Sequence, residues 1–202
     1  MEYIFVCLMG YLIGSSSMSF YLGKLNGFNM KEKGTGNLGA SNTMMLMGWK
    51  AGILVALHDI FKAVLVVYLA GKFFPHIALG KVLAGTSCIL GHIFPFYLSF
   101  KGGKGLASYV GVALALDLKF AIGLIIAAAL LTLMTDYIVV ATLTTMIVTP
   151  IYFLITDSLV AGLILSIASV VMLFKHLENI KRILNGTEVG FRSAHKGKHR
   201  LK

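Results

Sequence analysis

The sequence is short of charge, and shorter still of acid. Of its 202 residues 13% are charged, with eight Asp or Glu against eighteen Lys or Arg. Soluble domains carry roughly 25% charged and about 45–50% apolar residues; here 57% are hydrophobic and the mean hydropathy is +0.85. A soluble core cannot bury that much apolar surface, whereas a bilayer can. Cysteine is equally scarce. Cys7 and Cys88 lie in apolar stretches with no CxxC or Cys/His neighbour, so they are expected to be small packing residues. No GxxxxGK[ST] occurs, which removes the Walker A loop. No repeat, low-complexity stretch or linker divides the chain. The expectation is one all-α membrane domain over 1–202, with a short basic tail from about residue 176.

What the chain has in quantity is long apolar runs. A span needs about 20 residues. Candidates cover 3–21, 49–74, 76–96, 118–134, 137–155 and 159–174. A further run, "LASYVGVALAL" at 106–116, is too short to cross unless the preceding glycine loop extends it. Seven transmembrane helices are expected, the fourth being this short one. The first run follows Glu2 and precedes its positive charges, the reverse of a signal peptide, and reads as a retained helix. Lys24, Lys31, Lys33, Lys101, Lys104 and the tail then share one side, and Lys72, Lys81 and Lys119 the other. The richer side is expected to be cytoplasmic, giving an outside N-terminus and a cytoplasmic C-terminus. Eight of the eighteen Lys and Arg fall in the last 28 residues. Without aromatic interleaving or a nucleic-acid-binding motif, this tail points to anionic headgroups and not to nucleic acid.

The polar segment "KEKGTGNLGASN", 31–42, contains GxGxxG, with Asp59 twenty residues beyond Gly39. That spacing belongs to the dinucleotide fingerprint, but the fingerprint requires a strand before it and a βαβ unit around it. Here a membrane helix precedes the glycines, and an open sheet has no place in lipid. The physics of the loop survives without that fold: glycines let backbone N–H groups converge on an anion, and a lysine supplies countercharge. A second such loop, "GHIFPFYLSFKGGKG", falls on the same side and holds Lys101 and Lys104 among its glycines. Together the two loops point to phosphate binding at the cytoplasmic membrane surface.

The motifs then resemble a known family. "GHIFPFYLSFKGGKGLAS" is similar to the second motif of the bacterial membrane acyl-phosphate:glycerol-3-phosphate acyltransferases, the PlsY family. "GYLIGSSSMSFYLGK" resembles the opening helix, "GTGNLGASN" the GSGNxGATN loop, and "HLENIKRILNGTE" the closing H-x-x-N-I-x-R-L-x-x-G-x-E. The resemblance implies a seven-helix inner-membrane enzyme that moves a fatty acyl group from acyl phosphate to the 1-hydroxyl of glycerol 3-phosphate, releasing phosphate and lysophosphatidate. It implies a monomer among membrane lipids, with no metal and no cofactor. Acyl phosphate is already activated, so the site has only to align a hydroxyl with a carbonyl and hold the phosphates. By matching position, Lys104, His176 and Asn179 are the implied catalytic residues. Thr35, Gly36, Asn37, Gly102 and Gly103 are implied phosphate-binding residues, with Glu188 bracing the loops. His176 and Asn179 share a helical face at i, i+3.

Several positions depart from the pattern. The family's V-x-R after the first loop reads "TMM", with Met45 in place of a phosphate-binding arginine. Its D-x-R reads "NMKEK", and its T-R-Y-x-S reads "TDYIV", with Asp136 for arginine and Val139 for serine. "GSIPF" has become "GSSSMSF". A non-catalytic paralogue binding phosphate or lipid, or transfer to a different acceptor, is therefore the alternative reading. Acyl-CoA- or carrier-type transfer through HxxxxD is not supported, since Ala63, Lys81, Tyr97, Lys181 and Arg200 stand five residues after the eligible histidines. Paired half-helices and inverted repeats, the marks of a transporter, are not evident. Asp59 and Lys62 are three apart within a span, as an internal ion pair or a functional pair would be. His92 and Pro95 are expected to shape a turn.

Overall fold

Glycine sets how the first helices pack. A computed structural model describes residues 1–192; the expected contacts of the tail beyond them, with His195 and Arg200, lie outside the described residues. Nine α-helices occur among the described residues: α1 Glu2–Gly14, α2 Met18–Leu25, α3 Ala40–Met47, α4 Trp49–Phe73, α5 Gly80–Ile93, α6 Leu106–Leu116, α7 Leu118–Thr135, α8 Ile138–Thr156 and α9 Leu159–Leu184. Gly10 and Gly14 form a GxxxG pair on α1, and a methyl group at either would run into the backbone of Ala84 or Cys88 on α5. Gly91 returns the arrangement against Tyr11. Small residues let the two backbones approach closely, which is how helices associate where lipid removes the hydrophobic drive.

Six stretches are long and apolar enough to cross a membrane: Glu2–Leu25, Trp49–Phe73, Gly80–Leu98, Leu118–Thr135, Ile138–Thr156 and Leu159–Leu184. The short fourth helix of the expected seven, α6, has 11 residues, which at 1.5 Å per residue is about 16 Å. The glycine loop does not lengthen it, because Gly105 at its N-cap is left-handed, with φ of +99°. At its other end Asp117 terminates α6 and caps α7 by accepting from the Phe120 amide.

The first stretch is broken into α1 and α2 at Ser15–Ser17 with no proline. Ser17 caps α2 by accepting from Phe20 N. A break inside lipid orphans carbonyl groups, and each must find a donor. Tyr97 donates to Ser15 O at 3.0 Å, and the Lys62 ammonium donates to Ser16 O at 2.7 Å. Lys62 also meets Asp59 Oδ1 at 2.8 Å and His92 Nδ1 at 3.0 Å. Its three hydrogens thus face three acceptors, which explains a buried lysine on α4. An ammonium can only donate, so Nδ1 of His92 is the accepting nitrogen. The Asp59–Lys62 pair is therefore structural in its contacts, tying α4 to the α1–α2 break and to the end of α5. The main core, including Val6, Val66, Ile89, Tyr109, Val112 and Leu165, fills the space between these helices. Tyr109 on α6 bonds Ser169 Oγ at 2.8 Å and fixes α6 against α9.

Candidate active site

The second glycine loop is folded by the end of α5. After Ile93 the chain turns through Pro95 and a 3-10 turn at Phe96–Leu98. Gly102 N then donates to Ile93 O at 3.0 Å, and Gly103 N to His92 O at 3.1 Å. These bonds occupy carbonyls that the helix end would leave unpaired. Both positions require glycine: a Cβ on Gly102 would strike His92 O, and one on Gly103 the His92 ring. His92, held from below by Lys62, is thus the floor of the loop, and with Pro95 it shapes the turn as expected. Direct phosphate contact through the Gly102 and Gly103 amides is a different matter, since those hydrogens already close α5.

Past the glycines, Lys104 and Gly105 deliver the chain to the N-terminus of α6, whose first amides point away from the helix, the arrangement that attracts anions. Lys104 Nζ donates to Asn179 Oδ1 on α9. Asn179 Nδ2 donates to Glu188 Oε1 at 2.7 Å, and Glu188 Oε2 accepts from Arg182 Nε at 2.6 Å. This charge-assisted chain fixes the Asn179 amide, because Glu188 can accept only from its nitrogen side and so leaves the oxygen for Lys104. His176, one turn earlier and buried, presents Nδ1 to Met172 O at 2.8 Å. A carbonyl only accepts, so Nδ1 carries hydrogen and Nε2 is the outward nitrogen able to accept one. The Lys104 ammonium is held below the ordinary lysine range by burial first and by the nearby Arg182 charge, with Glu188 and Glu178 opposing.

The first loop lies at the same end. Its organiser is Asn42, buried on α3: Oδ1 accepts from Thr35 N at 2.8 Å, and Nδ2 donates to Lys33 O at 3.2 Å and Met30 O at 3.4 Å. Gly34 and Gly36 take left-handed φ values of +62° and +69°. Thr35 Oγ1 accepts from Asn37 N at 3.4 Å. The two loops are joined directly. Lys31 donates to Leu98 O at 2.6 Å, and Met30, Leu38 and Leu98 share an apolar cluster. Burial and then the Lys101 charge lower the Lys31 pKa. Lys31 keeps a cationic donor where the D-x-R pattern has arginine, and Asn29 caps the short turn that follows it by accepting from Lys31 N. Among the described residues no hydrogen bond joins Thr35 or Asn37 to Lys104. The structure therefore unites Lys104, Asn179 and Glu188, sets His176 beside them, and brings Thr35, Gly36 and Asn37 to the same end on a coupled loop. Arg182 and Asn42 were not named as site residues from sequence, and Lys31 was named only for orientation, though all three sit inside or beside the motifs.

The sequence profile described as glycerol-3-phosphate acyltransferase matches residues 4–186. The chain belongs to the glycerol-3-phosphate acyltransferase family. Among the family's members, glycerol-3-phosphate acyltransferase 1 of Oceanobacillus iheyensis is 41% identical over 201 residues, covering 93% of this chain and 94% of the relative. The Bacillus subtilis glycerol-3-phosphate acyltransferase is 34% identical, covering 90% and 93%. The crystal structure of PlsY, an integral membrane glycerol 3-phosphate acyltransferase, in its glycerol 3-phosphate form, superposes with a TM-score of 0.87 at 28% identity. It covers 95% of this chain and 96% of that one. The acyltransferase family resemblance read from the motifs therefore holds, as does the helical integral-membrane fold.

Proposed function

We propose that this chain is a membrane acyltransferase that transfers a fatty acyl group from acyl phosphate to the 1-hydroxyl of glycerol 3-phosphate for phospholipid synthesis. The observation that carries the reading is the Lys104–Asn179–Glu188 chain at the start of α6, joined to a family membership that spans nearly the whole sequence. In the reaction the hydroxyl oxygen attacks the acyl carbonyl carbon and forms the ester bond. The carbon–oxygen bond to phosphate breaks, and inorganic phosphate leaves with the electron pair. The hydroxyl proton passes to a phosphate oxygen, so no protein nucleophile is consumed. Lys104 and the first amides of α6 bind phosphate oxygens, Asn179 orients the acceptor, and His176 Nε2 accepts from a substrate hydroxyl. Thr35, Gly36 and Asn37 close over the second phosphate from the first loop. Gly102 and Gly103 shape the turn beneath it, and Glu188 holds Asn179.

In this reading α6 counts as a seventh, partial crossing, the N-terminus lies outside, and the site opens on the cytoplasmic face of the bacterial inner membrane. A single domain works as a monomer, without metal or cofactor. The charge distribution supports it, because Lys24, Lys31, Lys33, Lys101 and Lys104 gather at the end bearing both loops. The test is transfer by the purified protein from acyl phosphate to glycerol 3-phosphate. Wild type should form lysophosphatidate, Met45→Ala should retain this, and Lys104→Ala should abolish it. A silent wild type that gains transfer in Met45→Arg would indicate a dormant enzyme, and one that gains none would overturn the proposal.

A further inference from the structure

Asp136 stands where the family's motif has arginine, and the reaction as written makes no use of it. In the structure it occupies the left-handed C-cap of α7, with φ of +65°, a conformation that Asp tolerates better than most residues. From there it takes hold of the segment that follows α9. Its carbonyl accepts from Phe191 N at 2.7 Å, and its carboxylate Oδ1 accepts from Arg192 N at 2.9 Å. The Arg192 guanidinium adds a bond to Leu133 O at 2.8 Å. Gly190 completes the fit, because a Cβ there would strike Asp136 Oδ2. Three successive residues, Gly190 to Arg192, are thus shaped to one aspartate, through its carboxylate and its own carbonyl, at the end of another helix.

Two residues before Gly190 stands Glu188, whose side chain orients Asn179 toward Lys104. On its own side this glutamate is held by its side-chain bond from Arg182 Nε at 2.6 Å and by the turn that ends α9, where Thr187 N and Glu188 N both donate to Arg182 O, at 2.8 and 3.2 Å. A turn with left-handed Gly186 at its centre and exposed Asn185 and Thr187 is a weak anchor by itself. The clamp on Gly190–Arg192 fixes its other end.

We propose that Asp136 is a positioning residue: by clamping Gly190–Arg192 against the end of α7 it holds Glu188 where it aims Asn179 at Lys104. The departure from arginine is then a change of device, with a carboxylate gripping the Arg192 amide and the grip transmitted to the phosphate-binding pair. The inference rests on the acyltransferase reading for its kinetic consequence, but not for its structural one.

The experiment compares Asp136→Ala, Asp136→Asn and Gly190→Ala with wild type by hydrogen exchange and by steady-state transfer. Asp136→Ala, which removes the acceptor of the Arg192 amide but keeps the main-chain acceptor of Phe191, and Gly190→Ala, which displaces the carboxylate, should both speed exchange at Arg192 while α9 stays protected. They should raise KM for glycerol 3-phosphate about tenfold, the size of one weakened charge-assisted bond, with kcat within about threefold. Asp136→Asn, which keeps a short acceptor and tolerates the left-handed conformation, should fall between. In a Glu188→Gln background, Asp136→Ala should add nothing further to KM, since both act through one side chain. A second independent rise there, or an unchanged KM in Asp136→Ala with faster exchange, overturns the positioning role while leaving the acyltransferase intact. If wild type transfers nothing, the functional reading falls, and unchanged exchange at Arg192 in Asp136→Ala still overturns the clamp.

Discussion

At the scale of single residues, Lys104 is the group whose ionisation the site feels. Burial lowers its pKa below the ordinary lysine range. A lysine whose folded pKa is depressed loses its charge, as pH rises, earlier than an exposed one does. Affinity for a phosphate substrate should therefore weaken on the alkaline side at a pH where a surface lysine would still be charged. KM for glycerol 3-phosphate measured against pH should show this rise, and Lys104→Arg, which stays charged, should flatten it. A profile that is the same in both proteins would assign the alkaline loss to another group. That Lys104, Asn179 and Glu188 come together was legible in the sequence, because their motifs are long and ordered. Asn42 was not. Its role depends on burial at the start of α3 and on three partners that only the folded loop supplies. Arg182 fills the arginine of the closing motif, but its task is shown only by its bond to Glu188.

Among elements, the buried contacts of α4 carry the clearest energetic consequence. Lys62 satisfies the carbonyl freed at the α1–α2 break as well as Asp59 and His92. Removing one member of a buried pair leaves a stranded charge and costs about 3–5 kcal/mol. Lys62→Ala should therefore lower the melting temperature in detergent by many degrees, and Asp59→Leu with Lys62→Met should recover part of the loss. The recovery is partial because Ser16 O still lacks a donor. Gly103→Ala belongs at the same scale: crowding the His92 ring should cost about 1–3 kcal/mol, read as a lowered melting temperature together with reduced transfer. The apolar runs made the long helices legible. The break at Ser15–Ser17 was hidden because serines serve as capping residues without announcing a kink as proline would. The short run at 106–116 was recognised as short, but only the left-handed Gly105 shows that the loop does not complete it.

For the whole molecule, the grouping of both glycine loops and the α9 turn at one end makes a topological prediction. In a protein lacking Cys7 and Cys88, Lys33→Cys and Thr187→Cys should react with an impermeant maleimide only from the cytoplasmic side, and His76→Cys only from outside. Labelling of positions 33 and 187 from opposite sides would separate the loops and dismantle the site. The family resemblance was readable because its motifs run in order along the chain. The coupling of those motifs was not, since Lys31 meets Leu98 across 67 residues of sequence.

The brevity of α6 has a kinetic meaning. On the proposed topology Asp117 lies at the surface opposite the site, and 11 residues counted from it bring the amino end of α6 only about halfway through a hydrocarbon slab some 30 Å thick. A donor with a fatty tail can then meet the reacting groups without ever leaving the leaflet, while its small partner arrives from water. Turnover should accordingly track the mole fraction of donor among the surrounding lipids. Diluting those lipids with inert ones slows it, and diluting the suspension with buffer at a fixed acceptor concentration does not.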